Sequence, residues 1–158
     1  MAKRKSWRDK LANDKDLPKV VPITGKMSTR SGEGTVAIPA PREVDAIMKR
    51  VPEGKLITIN EIRALVAKKH GASIGCPITT GIFAWIAAHA AEEDAAEGVT
   101  RITPYWRTLK SGGELNAKYP GGVNQLKKRL QAEGHRLIVK GKRVMVVDYE
   151  NALCSLRV

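Results

Sequence analysis

Helical spacing of apolar residues begins soon after residue 39 and predicts the first helix of a folded domain. Proline suits a first helical position, so we expect this helix to begin at Pro41 and to stop at Pro52. Its apolar face consists of Val44, Ile47, Met48 and Val51. Charged residues fill the opposite face, which is typical of a helix with one buried side.

Two further helices joined by a short turn are predicted between residues 58 and 97. Thr58 followed by Glu61 is typical of a capping box at a helix start, and Gly71 suits the end of that helix. The next helix is expected to begin at Pro77. One stripe of that helix consists of Ile78, Ile82, Trp85, Ile86 and His89. Two helices separated by a short glycine-containing turn indicate a helix-turn-helix.

Acidic residues end the second of these helices. They are Glu92, Glu93, Asp94 and Glu97. Acids at a helix C-terminus oppose the macrodipole, so either an external cation or a basic neighbour in the fold is expected beside them.

The last part of the chain predicts a basic helix and a β-hairpin. The helix places Val123, Leu126 and Leu130 toward a core, and Gly134 ends it. Two apolar runs then flank a two-residue turn, Gly141-Lys142. A short helix is expected within residues 149–156. Together these elements predict an α+β fold, a helix-turn-helix or winged-helix-like domain with a C-terminal β-hairpin. At the hairpin tip, Lys140, Lys142 and Arg143 either contact phosphates or protect an exposed strand edge.

Residues 1–38 differ from the rest because they are basic and lack a sustained apolar period. They are predicted to form a disordered arm, which leaves residues 39–158 as the folded domain. Such an arm either adds salt-dependent phosphate contacts or is a solvated tail without a specific role. Trp7 either stacks on a base or docks on the domain.

The net charge of the chain narrows the range of possible binding partners. The chain of 158 residues carries 28 Lys and Arg against 16 Asp and Glu, a net charge of +12 that favours polyanions such as nucleic acid. No apolar run approaches a membrane span and no signal peptide is visible, so a cytoplasmic protein is expected, nucleoid-associated if prokaryotic. Cys76 and Cys154 lack metal-ligand spacing, so no metal or other cofactor is expected.

One tetrapeptide and its flanks carry a family resemblance. The segments are Gly54 to Leu65, Pro104-Tyr105-Trp106-Arg107, Tyr119-Pro120-Gly121-Gly122 and Glu133-Gly134-His135. In this order and spacing, residues 42–135 resemble the C-terminal domain of alkylguanine-DNA alkyltransferases and their non-catalytic relatives, the alkyltransferase-like proteins. The resemblance implies a DNA-repair scaffold.

The resemblance also implies that the chemistry is lost. In the enzymes a Cys accepts the alkyl group and a following His helps to deprotonate it; here Tyr105 and Trp106 stand in those places. A free phenol has a pKa of about 10 and an indole cannot accept a proton, so no catalytic residue is expected. Cys76, at a helix start, is the alternative nucleophile, although a buried apolar role fits it better.

Residues of a lesion pocket follow from the resemblance. They are Pro104, Tyr105, Trp106, Arg107, Tyr119, Gly121 and Gly122. Arg107 is expected to fix the site loop by hydrogen bonds. The ring of Tyr105 either stacks against an extruded base or fills the vacated pocket. Pro120 replaces a small polar residue that contacts the lesion in the enzymes.

The expected DNA surface combines the helix-turn-helix with the hairpin tip. It comprises Thr58, Ile59, Asn60, Pro77, Thr79, Thr80, Gly81, Lys140, Lys142 and Arg143. Ile59 replaces the family's base-pushing Tyr, and no Lys or Arg between His70 and Thr100 can supply its intercalating Arg. DNA binding is therefore expected, but base flipping is not.

The resulting hypothesis is a monomeric, non-catalytic DNA-binding protein whose partners are duplex DNA and other repair proteins. Two alternatives stay open. One is an alkyltransferase that uses another nucleophile, and the other is a general nucleic-acid or protein-interaction module that kept only the scaffold.

Overall fold

A helix-turn-helix and a C-terminal hairpin frame the domain in the computed structural model, which describes residues 5–24 and 34–157. The elements in chain order are α1 (Trp7–Ala12), β1 (Lys19–Pro22), β2 (Thr35–Ile38), α2 (Pro41–Lys49), β3 (Ile57–Thr58), α3 (Ile59–His70), β4 (Ile74–Gly75), α4 (Pro77–Ala96), β5 (Thr108–Leu109), α5 (Gly122–Ala132), β6 (Leu137–Lys140) and β7 (Arg143–Val146). Short 3₁₀ turns lie at Tyr105–Arg107, Ser111–Gly113 and Tyr149–Ala152. The predicted α+β class is confirmed.

Small sheets connect these elements within the described residues. β1 pairs antiparallel with β2, and β2 pairs parallel with β4. β3 and β5 form a parallel pair, which places the residues after Trp106 beside the start of α3. β6 and β7 are antiparallel, and the pairing of Lys140 with Arg143 leaves Gly141-Lys142 as the predicted two-residue turn.

Local capping signals set the ends of the helix-turn-helix. The Thr58 amide donates to Glu61 Oε1 at 3.0 Å, and the Thr58 hydroxyl donates to Glu61 Oε2 at 2.7 Å. Gly71 ends α3 with φ of 64°, a left-handed conformation that favours glycine. Pro77 is the first residue of α4. These predicted boundaries are confirmed.

The buried face of α4 differs from the predicted stripe. Alanines form most of it, namely Ala84, Ala87, Ala88, Ala90 and Ala91, together with Thr80 and with Ile86 of the predicted stripe. These small side chains leave room for Val44 and Met48 of α2, which belong to the same core cluster. By contrast, Ile78 is 70% exposed and Ile82 is 47% exposed. Within the described residues no helix, α4 included, is long and apolar enough to span a membrane.

Where it is described, the N-terminal segment contains α1 and β1, and α1 packs on α4. The Trp7 ring of α1 stacks on His89 with centroids 4.4 Å apart and meets Trp85 edge to face at 4.7 Å. The Arg8 amide donates to Glu93, and its guanidinium pairs with the last acids of α4, Asp94 and Glu97. The acidic helix end therefore has a basic neighbour, which was one of its two expected partners. Lys3, Arg4, Lys26 and Arg30 lie outside the described residues.

Replacing Trp7 with alanine is expected to loosen α1 from α4, because α1 contains no buried residue and this aromatic contact is one of its attachments to α4, besides those of Arg8. The loss is roughly 1 kcal/mol, the usual contribution of an aromatic pair. Hydrogen exchange should accelerate at the Lys10 and Asn13 amides, whose bonds lie within α1 and its C-cap. Trp7→Phe, which keeps a ring, is the control. Unchanged exchange in Trp7→Ala would show that Arg8 alone holds the helix.

Candidate DNA interface and lesion pocket

Tyr105, in the place of the acceptor, is completely buried. The 3₁₀ turn Tyr105–Arg107 leads from buried Pro104 into β5. The Tyr105 ring meets the rings of Trp106 and Tyr119 edge to face, and its centroid lies 5.3 and 6.1 Å from theirs. The Tyr105 hydroxyl donates a hydrogen bond to Glu92 Oε1 at 2.5 Å. The ring therefore lies inside the site, and its stacking against an extruded base stays a prediction.

The surroundings of Tyr105 keep its oxygen protonated. Burial raises the pKa of Tyr105 well above that of a free phenol, and the hydrogen bond to Glu92 and the Glu92 charge raise it further. Arg129 lies 3.5 Å from the same Glu92 oxygen. Since the phenolate is the nucleophilic form, Tyr105 is poorly suited to accept an alkyl group.

Trp106 and Arg107 share one carboxylate, Glu133. Trp106 Nε1 donates to Glu133 Oε2 at 2.8 Å, the place where the resemblance expects an imidazole. Arg107 Nη2 donates to the same oxygen at 2.7 Å, and Arg107 Nη1 donates to the Val51 carbonyl at 2.8 Å. Arg107 thus has the structural role expected for it, since it ties the site loop to Val51 and Glu133.

Glu133 is held in its charged form. Burial alone would raise the pKa of Glu133, but hydrogen bonds from Arg107, Trp106 and the Gly54 amide, together with the Arg107 charge, hold it below its ordinary value. Its oxygens accept bonds from these donors. Glu133 therefore acts here as an acceptor that orders the loop, with no histidine between it and Tyr105.

The loop from Tyr119 to Gly122 packs on the tetrapeptide and begins α5. Tyr119 is buried, and burial raises its pKa. Gly121 has φ of 79°, and a Cβ there would lie 2.5 Å from the Gln125 Cβ. Only glycine fits this position without moving Gln125.

The predicted pocket residues line two separate cavities. One cavity of about 280 Å³ is lined by Tyr105, Gly121, Glu92, Pro120, Asn124, Gln125 and Lys128. A broader cleft of about 930 Å³ has Pro104, Trp106 and Arg107 in its walls. The other charged residues of this cleft are Lys49, Arg50, Glu53, Arg101 and Arg129. Tyr119 and Gly122 line neither cavity. The tetrapeptide therefore separates a small pocket from a cationic cleft.

Neither cysteine is placed to act as the missing nucleophile. Cys76 is buried at the N-cap of α4, with its sulfur 3.1 Å from Thr79 Oγ1. Burial raises the pKa of Cys154, which lowers its thiolate fraction. Both thiols are free, and neither lines the two cavities beside the tetrapeptide.

The structure corrects part of the expected DNA surface. Thr58 and Thr80 lie in the core with 3% and 0% exposure, and the Thr58 hydroxyl is already donated to Glu61. Their side chains therefore do not reach the surface. Asn60 is exposed and its amide donates to Ser111 Oγ at 3.0 Å. The remaining candidates are at least partly exposed, namely Ile59, Pro77, Thr79, Gly81, Lys140, Lys142 and Arg143.

Two residues of the site were missed in the sequence. Glu92 accepts the Tyr105 hydroxyl, although its only sequence signal was membership of the acidic run. Arg129 of α5 lies over the Trp106 ring, 4.3 Å from the ring centroid. Its only sequence signal was membership of the basic helix. The contact between Arg129 and Trp106 is a cation–π pair that covers the indole.

Comparisons with known proteins bear on the fold. No family model and no curated protein sequence matches the chain. Among solved structures, S. pombe Atl1 in complex with damaged DNA containing O6-carboxymethylguanine is similar, with 19% identity and a TM-score of 0.52. A structure of the S. pombe alkyltransferase-like protein in complex with DNA has 20% identity and the same TM-score. Each similarity covers 73% of this chain and 94% of the other.

The similarity to these structures supports the fold that the sequence resemblance implied. It extends over nearly the whole of the S. pombe chains, so it includes the complete scaffold and not one helix pair. The helix-turn-helix, the tetrapeptide and the basic helix α5 occur here in the order that the family motifs require. The chain therefore has the fold of an alkyltransferase-like protein.

Proposed function

We propose that the protein binds duplex DNA without catalysing alkyl transfer. The observation that carries the proposal is a pair of hydrogen bonds at the tetrapeptide. Tyr105 donates to Glu92, and Trp106 donates to Glu133. The two positions that hold the acceptor and its base in the enzymes thus hold two hydrogen-bond donors directed at carboxylates, and neither side chain is a ready nucleophile or a base at neutral pH.

Electrostatics supports DNA as the partner. The net charge of +12 attracts a polyanion, and Lys140, Lys142 and Arg143 are exposed at the hairpin tip. The S. pombe protein of the same fold was crystallised on damaged DNA. By analogy, an altered base would enter the small cavity beside Tyr105 and Gly121, where Asn124 and Gln125 offer amide groups. Other repair proteins would then recognise the complex.

Duplex binding is expected to weaken steeply with salt. Each phosphate contact contributes a slope of about −0.9 in log affinity against log salt, so changing Lys140, Lys142 and Arg143 together to alanine should make the slope shallower by up to about 2.7. The measurement is fluorescence anisotropy with a labelled duplex at several salt concentrations. Changing Lys49, Arg50 and Arg101 to alanine removes the same charge from the broad cleft and serves as the control.

The same titration separates the rival functions. A duplex with one O6-methylguanine should bind more tightly than the unmodified duplex, and intact-mass analysis should show no adduct on the protein. A mass increase of one methyl group would establish alkyl transfer and identify the true nucleophile. Equal affinity for both duplexes would favour a general nucleic-acid module. No duplex binding at low salt would contradict the proposal altogether.

A further inference from the structure

The broad cleft beside the tetrapeptide has no role in the function proposed above. Its volume is about 930 Å³, and its lining includes Lys49, Arg50, Arg101 and Arg129. Among the described residues, Glu53 is the one carboxylate in its wall. We refer to this feature as the cationic cleft. An excess of cations on a concave surface attracts an anionic ligand.

Three cations of the cleft lack a strong partner in the fold. No carboxylate lies within ion-pair distance of Arg50 or Arg101 in residues 5–24 and 34–157. Arg129 has one long contact, to Glu92 at 3.5 Å, and its buried Nε has no acceptor among the described residues. An unpaired guanidinium binds a carboxylate or a phosphate through two parallel hydrogen bonds. The cleft therefore fits a ligand with more than one anionic group.

The cleft also has apolar walls, which require a ligand that carries apolar groups beside its charges. Val99 is 45% exposed, and Ile102 and Pro52 also line the cleft. In the same lining, the backbone groups of Thr100, Arg101 and Ile102 form no hydrogen bond to other described backbone groups. Such free amides and carbonyls can pair with an extended peptide. A small inorganic anion would leave these walls unused.

The position of the cleft argues against nucleic acid as its ligand. Ala95 lines the cleft and Pro77 begins α4, so the two lie about 27 Å apart along a helix that rises about 1.5 Å per residue. A single strand would need an open aromatic face for its bases. Arg129 and Arg107 already lie over the Trp106 ring, 4.3 and 5.4 Å from its centroid. These contacts favour a peptide.

We propose that the cationic cleft is a docking site for an acidic, partly apolar peptide segment of another protein. Carboxylates of the segment pair with Arg50 and Arg101, and its aliphatic side chains pack on Val99. Docking here deepens the last step of the function proposed above and rests on that function, since the partner is a protein that recognises the DNA complex. Because the cleft lies far from the start of α4, the segment and a duplex bind at the same time.

The probe for this site is a fluorescein-labelled peptide of about eight residues in which Glu and Leu alternate, a pattern that suits an extended chain. Fluorescence anisotropy measures its affinity at low salt. Arg50→Ala combined with Arg101→Ala should lower the affinity at least about tenfold, because two charge-assisted contacts are lost. Lys140→Ala combined with Lys142→Ala removes the same charge from the hairpin tip. This matched control should change the affinity less than about twofold, since salt screens distant charges.

The apolar part of the site has its own test. Val99→Ser leaves the charges unchanged and should weaken peptide binding about threefold, because apolar contact area is lost. A peptide with Ser in place of Leu should bind more weakly as well, and so should one with Gln in place of Glu. Equal binding of the Ser peptide and the Leu peptide would reduce the cleft to a simple anion site and overturn the proposal.

Competition separates this inference from the DNA binding. Saturating unlabelled duplex should leave the peptide bound, whereas displacement by duplex or single-stranded DNA would assign the cleft to nucleic acid. Equal losses in the two double variants would mean that net charge alone attracts the peptide, and the docking site would be wrong. If the protein binds duplex but not peptide, the docking site is wrong while the DNA binding stands. If it binds peptide at the cleft but no duplex, the DNA binding is wrong and the cleft remains a peptide site.

Discussion

Replacing Glu133 with alanine is expected to destabilise the protein by about 3–5 kcal/mol, the usual cost of removing one partner from a buried ion pair. The Glu133 side chain is 8% exposed and that of Arg107 is 14% exposed. Without Glu133, the Arg107 guanidinium keeps only the Val51 carbonyl, while the Trp106 N–H and the Gly54 amide lose their acceptor. Urea denaturation of both proteins at neutral pH measures the difference.

The pH dependence gives an independent check on this prediction. The pKa of Glu133 is lowered in the folded protein, so its contribution to stability is fully present above about pH 4.3, the unfolded value. The contribution is lost as the pH falls through the folded pKa. The free energies of unfolding of wild type and Glu133→Ala should therefore converge toward acid. Glu150→Ala, which changes an exposed residue, should have little effect. Equal stability of Glu133→Ala and wild type at neutral pH would mean that Arg107 finds another acceptor.

Short-range signals in the sequence predicted most of the fold. These signals depend on neighbours only a few residues away. They are the capping box at Thr58, the helix end at Gly71, the helix start at Pro77 and the turn at Gly141-Lys142. The buried face of α4 could not be predicted in this way, because alanines and isoleucines give overlapping apolar periods. Which face is buried depends on α2, whose Val44 and Met48 fit against small residues.

Long-range contacts account for what the sequence did not reveal about the N-terminal segment and the site. α1 is only six residues long and contains no buried residue, so its sequence shows no helical period of apolar residues. Its position depends on acidic residues that lie some 85–89 residues further along the chain. The motif predicted that Tyr105 and Trp106 belong to the site. It did not predict that Glu92 accepts the Tyr105 hydroxyl or that two cavities flank the turn, since both depend on how α4 and α5 pack.

Tyr105→Cys alone is expected to leave the protein unable to repair O6-methylguanine. An unperturbed thiol has a pKa of about 8.5, and burial beside Glu92 would raise it, so little thiolate forms at neutral pH. Trp106 cannot take the proton because its nitrogen is a donor bonded to Glu133. Single-turnover repair of a methylated oligonucleotide measures the rate. Tyr105→Phe, which keeps the ring and removes only the hydroxyl, controls for damage to the core.

Adding Trp106→His to Tyr105→Cys should raise the rate by about 10²-fold over the single variant, the usual contribution of a positioned general base. The new imidazole would occupy the place from which Trp106 now reaches Glu133, and that carboxylate would orient it. Repair should stay slow, because Ile59 stands where the resemblance expects a base-pushing tyrosine. Efficient repair by Tyr105→Cys alone would contradict this prediction, since it would mean that Glu92, which accepts the Tyr105 hydroxyl, can serve as the base in place of residue 106. The chain would then have lost its nucleophile while keeping a working pocket.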